Sequence, residues 1–84
     1  MKRTERKEYG QYIVSDPAIC GGQLTFKGTR IFVKDVLEMV ALGWAWEKIS
    51  EAWFGRISSD AIAEAIVLAN SALLQQHDKQ RRAA

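Results

Sequence analysis

The sequence has very little cysteine and proline, no long apolar run and no large excess of charge of either sign. Its one cysteine cannot form an internal disulfide, and small secreted proteins usually carry several, so we expect a reducing, cytoplasmic location. The longest apolar run, residues 65–69, spans five positions, far short of the about 20 that a membrane helix needs. The net charge of +2 is too small to indicate nucleic-acid binding by itself. A basic surface would have to come from local arrangement.

Few residues suggest catalysis or metal binding. Cys20 and His77 are the only pair that suggests a nucleophile and its base, and the spacing supplies no third group to orient the histidine. A small apolar role beside a glycine turn is the commoner fate of a free cysteine. One histidine and one cysteine do not make a metal site, and no phosphate-binding glycine motif is present. We therefore expect neither an enzyme nor a bound cofactor.

A chain of 84 residues has room for one domain. Both ends are polar and basic, which divides the chain into a flexible N-terminus over residues 1–8, a single domain over residues 9–76 and a basic polar tail over residues 77–84. So small a core gains from dimerisation.

The first third of the domain reads as short extended segments. Residues 11–14 are rich in β-formers, residues 23–26 alternate polar with apolar, and residues 29–32 can return as a third strand after the Lys27-Gly28 turn. Positive φ is expected at Gly21, Gly22 and Gly28. A short hairpin or meander is predicted.

Helical periodicity begins at Val33 and ends at Gly43. A second helix is predicted from about residue 45 to residue 53, and a third from an N-cap at Ser58 or Ser59 to about residue 76. The predicted fold class is α+β and mainly helical: a short N-terminal β hairpin or meander packed on a three-helix, helix-turn-helix-like bundle.

The third helix is apolar almost all round, so more than one neighbour must cover it. With few other elements in the chain, a second copy is the expected cover. The predicted homodimer contacts are Ile62, Ile66, Val67, Leu73 and Leu74.

The order of the helices is also that of a helix-turn-helix DNA-binding unit. The residues predicted to contact DNA are Lys48, Arg56, Ser58 and Ser59, with Lys27, Arg30 and Lys34 as a second contact strip. Asp60 and Glu64 argue against this hypothesis, because a carboxylate near phosphate lowers affinity. A purely structural third helix stays open, as does a structural Arg30 that bonds the loop over residues 16–22 or the Asp16 carboxylate.

One stretch carries a family resemblance. The run Asp-Pro-Ala-Ile-Cys-Gly-Gly over residues 16–22, followed by Gly28-Thr29-Arg30-Ile31 and then Val33, resembles the signature of the prokaryotic "domain of unknown function 433". The resemblance covers residues 12–74 and implies a homeodomain-like, winged-helix-like bundle on the antitoxin side of toxin–antitoxin pairs, with a PIN-type ribonuclease as the toxin. The chain departs from the family pattern at residues 23–24, 32 and 53–56, so no DNA specificity is carried over.

The sequence therefore predicts an antitoxin-like protein that binds promoter DNA as a homodimer and neutralises a PIN-type ribonuclease. The alternative is a protein-interaction module without DNA affinity, whose basic tail over residues 79–82 folds onto an acidic nuclease.

Overall fold

The computed structural model describes residues 5–83, with side chains through residue 79. A three-stranded antiparallel sheet precedes three helices, which confirms the α+β class. The elements are β1 (Lys7–Tyr9), β2 (Ile13–Ser15), a 3-10 turn (Cys20–Gly22), β3 (Leu24–Phe26), α1 (Val33–Ala41), α2 (Trp46–Ala52) and α3 (Ser59–Ala83). Within residues 5–83, none of the helices combines the length and the apolar character of a membrane span.

The sheet is a meander in the order β1-β2-β3, shifted toward the N-terminus from the predicted one. β1 includes Lys7 and Glu8, which were predicted to be flexible. The predicted strand over residues 29–32 is wrong, since only a single bridge joins Thr25 to Phe32. The Thr29 hydroxyl explains why no strand forms there. It donates to the carbonyl of Phe26 at 2.8 Å and accepts the amide of Ile31 at 3.0 Å. A side chain thus bonds backbone groups that a longer ladder would use.

The helix ends follow the predicted signals at two points. Gly43 takes a φ of +92° just after α1, and the Ser58 hydroxyl caps α3 by accepting the amide of Ala61 at 3.2 Å. The predicted end of the third helix at residue 76 is wrong, because α3 continues to Ala83. Residues 77–83 contain no glycine or proline and several good helix formers. Residues 1–4 of the predicted N-terminus, residue 84 and the side chains of Arg81 and Arg82 in the predicted tail lie outside the described residues.

The core lies where the sheet, α1 and α2 meet the first half of α3. Its buried apolar residues are Ile13, Phe26, Val33, Val36, Ile49, Ile57, Ala61, Ile62 and Ala65. Ile62 is 0% exposed, so its predicted role as a dimer contact is wrong. It lies on the face of α3 that the chain's own core covers.

Thr25 gives a stability prediction. Its side chain is fully buried in β3, and within the described residues its hydroxyl has no hydrogen-bond partner. Thr25→Val keeps the shape and removes the unpaired hydroxyl, so we expect the unfolding free energy to rise by about 1 kcal/mol. Urea denaturation measures the change, and a loss of stability would show that the hydroxyl is hydrogen-bonded in solution.

Candidate nucleic-acid interface

Two of the predicted DNA contacts, Arg30 and Arg56, meet on one surface. Arg30 follows the turn after β3, and Arg56 lies between α2 and α3. Both are exposed, and they line an open depression of about 430 Å³ together with Ile31, Trp53 and Phe54. None of these five residues is acidic. We refer to them as the Arg30–Arg56 surface.

The turn after α2 positions Arg56. Phe54 and Gly55 have φ values of +59° and +72°, two successive left-handed residues that reverse the chain. Glycine adopts this conformation without strain, whereas a phenylalanine there costs about 1 kcal/mol or more. Trp53 packs against the core before the turn and Ile57 is buried after it. Arg56 is therefore held at the surface between two anchored positions, with the Phe54 ring 90% exposed nearby.

The structure does not pair Arg30 with Asp16, one of the two partners that the structural alternative for this arginine offered. The Asp16 carboxylate instead lies 3.6 Å from the guanidinium Nε of Arg6 and accepts the amide of Ala18 at 2.9 Å. Within the described residues, Arg30 makes no ion pair. Its backbone carbonyl lies 4.0 Å from the Cys20 Sγ. The Arg30 charge is thus available to a ligand.

Lys27 is engaged elsewhere. Its ammonium group lies 3.1 Å from the Glu8 carboxylate, which Arg6 also contacts. Hydrogen bonds from Lys27 and then Arg6 lower the pKa of the Glu8 carboxyl below its ordinary value. An ion pair so exposed adds little stability, but it offsets the charge of Lys27 toward a ligand.

The other two lysines predicted to contact DNA, Lys34 and Lys48, have local partners. The Lys34 ammonium lies 5.4 Å from the centre of the Phe32 ring, a cation–π contact. The Lys48 ammonium lies 3.8 Å from the Glu51 carboxylate, one turn along α2. Neither lysine lines the Arg30–Arg56 depression.

The start of α3 is poorly suited to contact DNA. The Ser58 hydroxyl is used in the helix cap, and the exposed Ser59 is followed by the exposed carboxylate of Asp60. That carboxylate interacts favourably with the helix dipole and repels a phosphate. Any DNA contact in this region would come from Arg56 in the preceding turn.

Glu64 has a role that sequence reasoning missed. Its carboxylate accepts the backbone amides of Gln11 at 2.8 Å and Tyr12 at 2.7 Å, fastening the β1–β2 turn to α3. Gly10 lets the carboxylate approach, because a Cβ there would lie 2.4 Å from a Glu64 oxygen. No local pattern signals a contact between residues more than 50 positions apart.

An apolar groove of about 390 Å³ lies between the sheet, α1 and α3. Ile13 and Leu24 line it from the sheet, Leu37 from α1, and Leu68 and Ala72 from α3. We refer to it as the sheet–helix groove.

The predicted glycine conformations are confirmed, with φ values of +68°, +87° and +76° at Gly21, Gly22 and Gly28. Cys20 is half-buried in the 3-10 turn, and His77 is exposed on α3. Across the part of the chain that the structure describes, no three His, Cys, Asp or Glu side chains cluster as metal ligands.

A family model described as "Protein of unknown function (DUF433)" matches residues 13–69. The chain belongs to the DUF433 family. The DUF433 match begins at β2 and ends within α3, so it contains Arg30, Arg56 and Glu64. No curated protein and no solved structure matches the chain significantly.

Proposed function

We propose that this DUF433 protein is a cytoplasmic, antitoxin-like protein that binds DNA as a homodimer and contacts phosphates through the Arg30–Arg56 surface. The observation that carries the proposal is the convergence of the two arginines on a depression without acidic lining residues. Each guanidinium offers a planar fork of donors that matches a phosphate.

The geometry favours phosphate contacts over base readout. Arg56 lies in the turn before α3, whereas the first turn of α3 carries Asp60. Phosphate contacts set the position of a protein on DNA, and base contacts supply specificity. We therefore expect binding to depend strongly on salt and weakly on the base sequence next to the two arginines.

Arg30→Ala and Arg56→Ala, singly and together, test this proposal. Each loss of a phosphate contact should reduce the slope of log affinity against log salt by about one unit, and the double variant by about two. Fluorescence anisotropy with a labelled duplex from upstream of the protein's own gene measures this slope.

Lys7→Ala is the matched control, because it removes one exposed positive charge from β1, at the opposite edge of the sheet from β3. It should leave the salt slope unchanged. The proposal fails if wild-type protein does not bind at low salt, or if the control weakens binding as much as either arginine variant.

The second candidate is a protein-interaction module that neutralises a PIN-type ribonuclease without binding DNA. The sheet–helix groove supports it, because Tyr9 and Leu24 at the groove are large apolar residues that remain exposed. Apolar patches of this kind are typical of protein-binding surfaces. Under this hypothesis, adding a ribonuclease partner changes the NMR signals of the groove residues, and adding DNA changes no signals.

A further inference from the structure

α3 has a second apolar face, directed away from its own core. Ala61, Ile62 and Ala65 face the core and are buried. On the other side, Val67, Leu73 and Leu74 are 61%, 63% and 54% exposed. Large apolar residues that recur on one side of a helix indicate a partner surface, whereas single exposed ones do not.

The exposed face has a regular spacing. Ala63, Asn70 and His77 follow one another at intervals of seven residues and form its centre line. At 3.6 residues per turn, Ile66 and Leu73 lie along one flank of this line, and Val67 and Leu74 along the other. Ile66 is partly buried against the core and lies where the two apolar faces meet. This is the spacing of a coiled-coil seam. We refer to these seven residues as the outward stripe.

The outward stripe reads almost the same in both directions from Asn70. When two such helices run antiparallel about a two-fold axis at Asn70, Ala63 meets His77 across the centre. Along the flanks Val67 meets Leu74, and Ile66 meets Leu73. Each apolar flank residue thus meets an apolar residue of the other helix, as a two-fold interface requires.

We infer that the outward stripe binds the same stripe of a second copy of this chain, antiparallel and with Asn70 facing Asn70. The symmetry of the pattern favours a second copy as the partner, because binding to an unrelated protein would not require a symmetric pattern. The carboxamide of Asn70 carries both donors and an acceptor, so it can bond its own copy and fix the register.

The length of α3 gives a second argument. The helix has 25 residues, but its buried residues end at Ala65. Every described side chain from residue 69 to residue 79 is exposed. A helical stretch of this length with no buried side chain gains little from tertiary packing and is only marginally stable in water. Pairing of two copies would cover it.

Sedimentation equilibrium tests the dimer. We expect the wild-type protein to be a dimer and the Val67→Glu/Leu74→Glu variant to have a dissociation constant raised by at least about a hundredfold. Leu42→Glu, at an even more exposed apolar residue after α1, is the matched control and stays dimeric. A monomeric wild type, or a dimer that survives both glutamates, would overturn the inference. Circular dichroism establishes that each variant is folded.

Disulfide crosslinking tests the orientation in a Cys20→Ser background. The antiparallel pair predicts that Ala63→Cys chains mixed with His77→Cys chains form a mixed disulfide, and that neither crosslinks alone. Efficient crosslinking of either variant with itself indicates a parallel pair and overturns the proposed arrangement. The outward stripe contains none of the Arg30–Arg56 residues, so loss of DNA binding and loss of dimerisation are measured separately.

Discussion

We expect Gly10→Ala to lower the free energy of unfolding by about 3 kcal/mol. About 1 kcal/mol comes from forcing a side chain into the left-handed region, where Gly10 has a φ of +69°. The remaining about 2 kcal/mol comes from Glu64, whose carboxylate must leave the amides of Gln11 and Tyr12 to avoid the new Cβ. Urea denaturation measures the loss.

Gly28→Ala is the matched control. Gly28 has a similar φ of +76°, but a Cβ there meets nothing within 4 Å. This variant should lose only the backbone term of about 1 kcal/mol. Equal losses at the two glycines would show that Glu64 does not hold the turn.

A double-mutant cycle isolates the Glu64 contribution. Glu64→Ala alone should cost about 2 kcal/mol. Adding Gly10→Ala to it should cost only about 1 kcal/mol more, because the carboxylate that collided with the Cβ is gone. Additive losses would contradict the contact.

The second large effect is expected at Ile62. Ile62→Ala removes a fully buried side chain from the core between α3 and its neighbours, so we expect a loss of about 3–4 kcal/mol. For a domain this small, that is a large part of the total stability. Chemical denaturation at several protein concentrations measures it.

Val67→Ala is the comparison for Ile62→Ala. The loss at Ile62 should be the same at every protein concentration, because the side chain packs within one chain. The loss at Val67 should grow with concentration, because only the dimer covers this side chain. If the loss of unfolding free energy at Ile62 depended on protein concentration, Ile62 would be part of the dimer interface.

The sequence predicted the features that depend on local pattern. The start of α1 at Val33, the glycine after it and the Ser58 cap of α3 each follow from residues within one or two helical turns. The family resemblance was likewise carried by a contiguous signature, and the DUF433 match confirms it.

The features that were missed depend on particular contacts, local or distant, that residue patterns do not show. β1 is polar and exposed, so its sequence resembles a flexible end until it pairs with β2. The strand predicted over residues 29–32 does not form, because the Thr29 hydroxyl bonds backbone groups of Phe26 and Ile31. The hydrogen bonds from Gln11 and Tyr12 to Glu64, for which Gly10 leaves room, have no local signal at all.

The sequence predicted which residues belong to the candidate interface but not which of them lie together. Arg30 and Arg56 were assigned to two separate strips, because nothing in the spacing shows that the turn after β3 lies beside the turn after α2. The structure joins them and leaves Lys27, Lys34 and Lys48 beside other partners.

The most direct test of the proposed function is a titration of the ¹⁵N-labelled protein with a duplex from upstream of its own gene, followed by amide and arginine side-chain NMR signals. We predict that chemical shifts change at residues 30–31 and 53–56, and that the changes diminish as salt is raised. An unchanged spectrum at excess DNA, or changes confined to the sheet–helix groove, would contradict DNA binding through the Arg30–Arg56 surface.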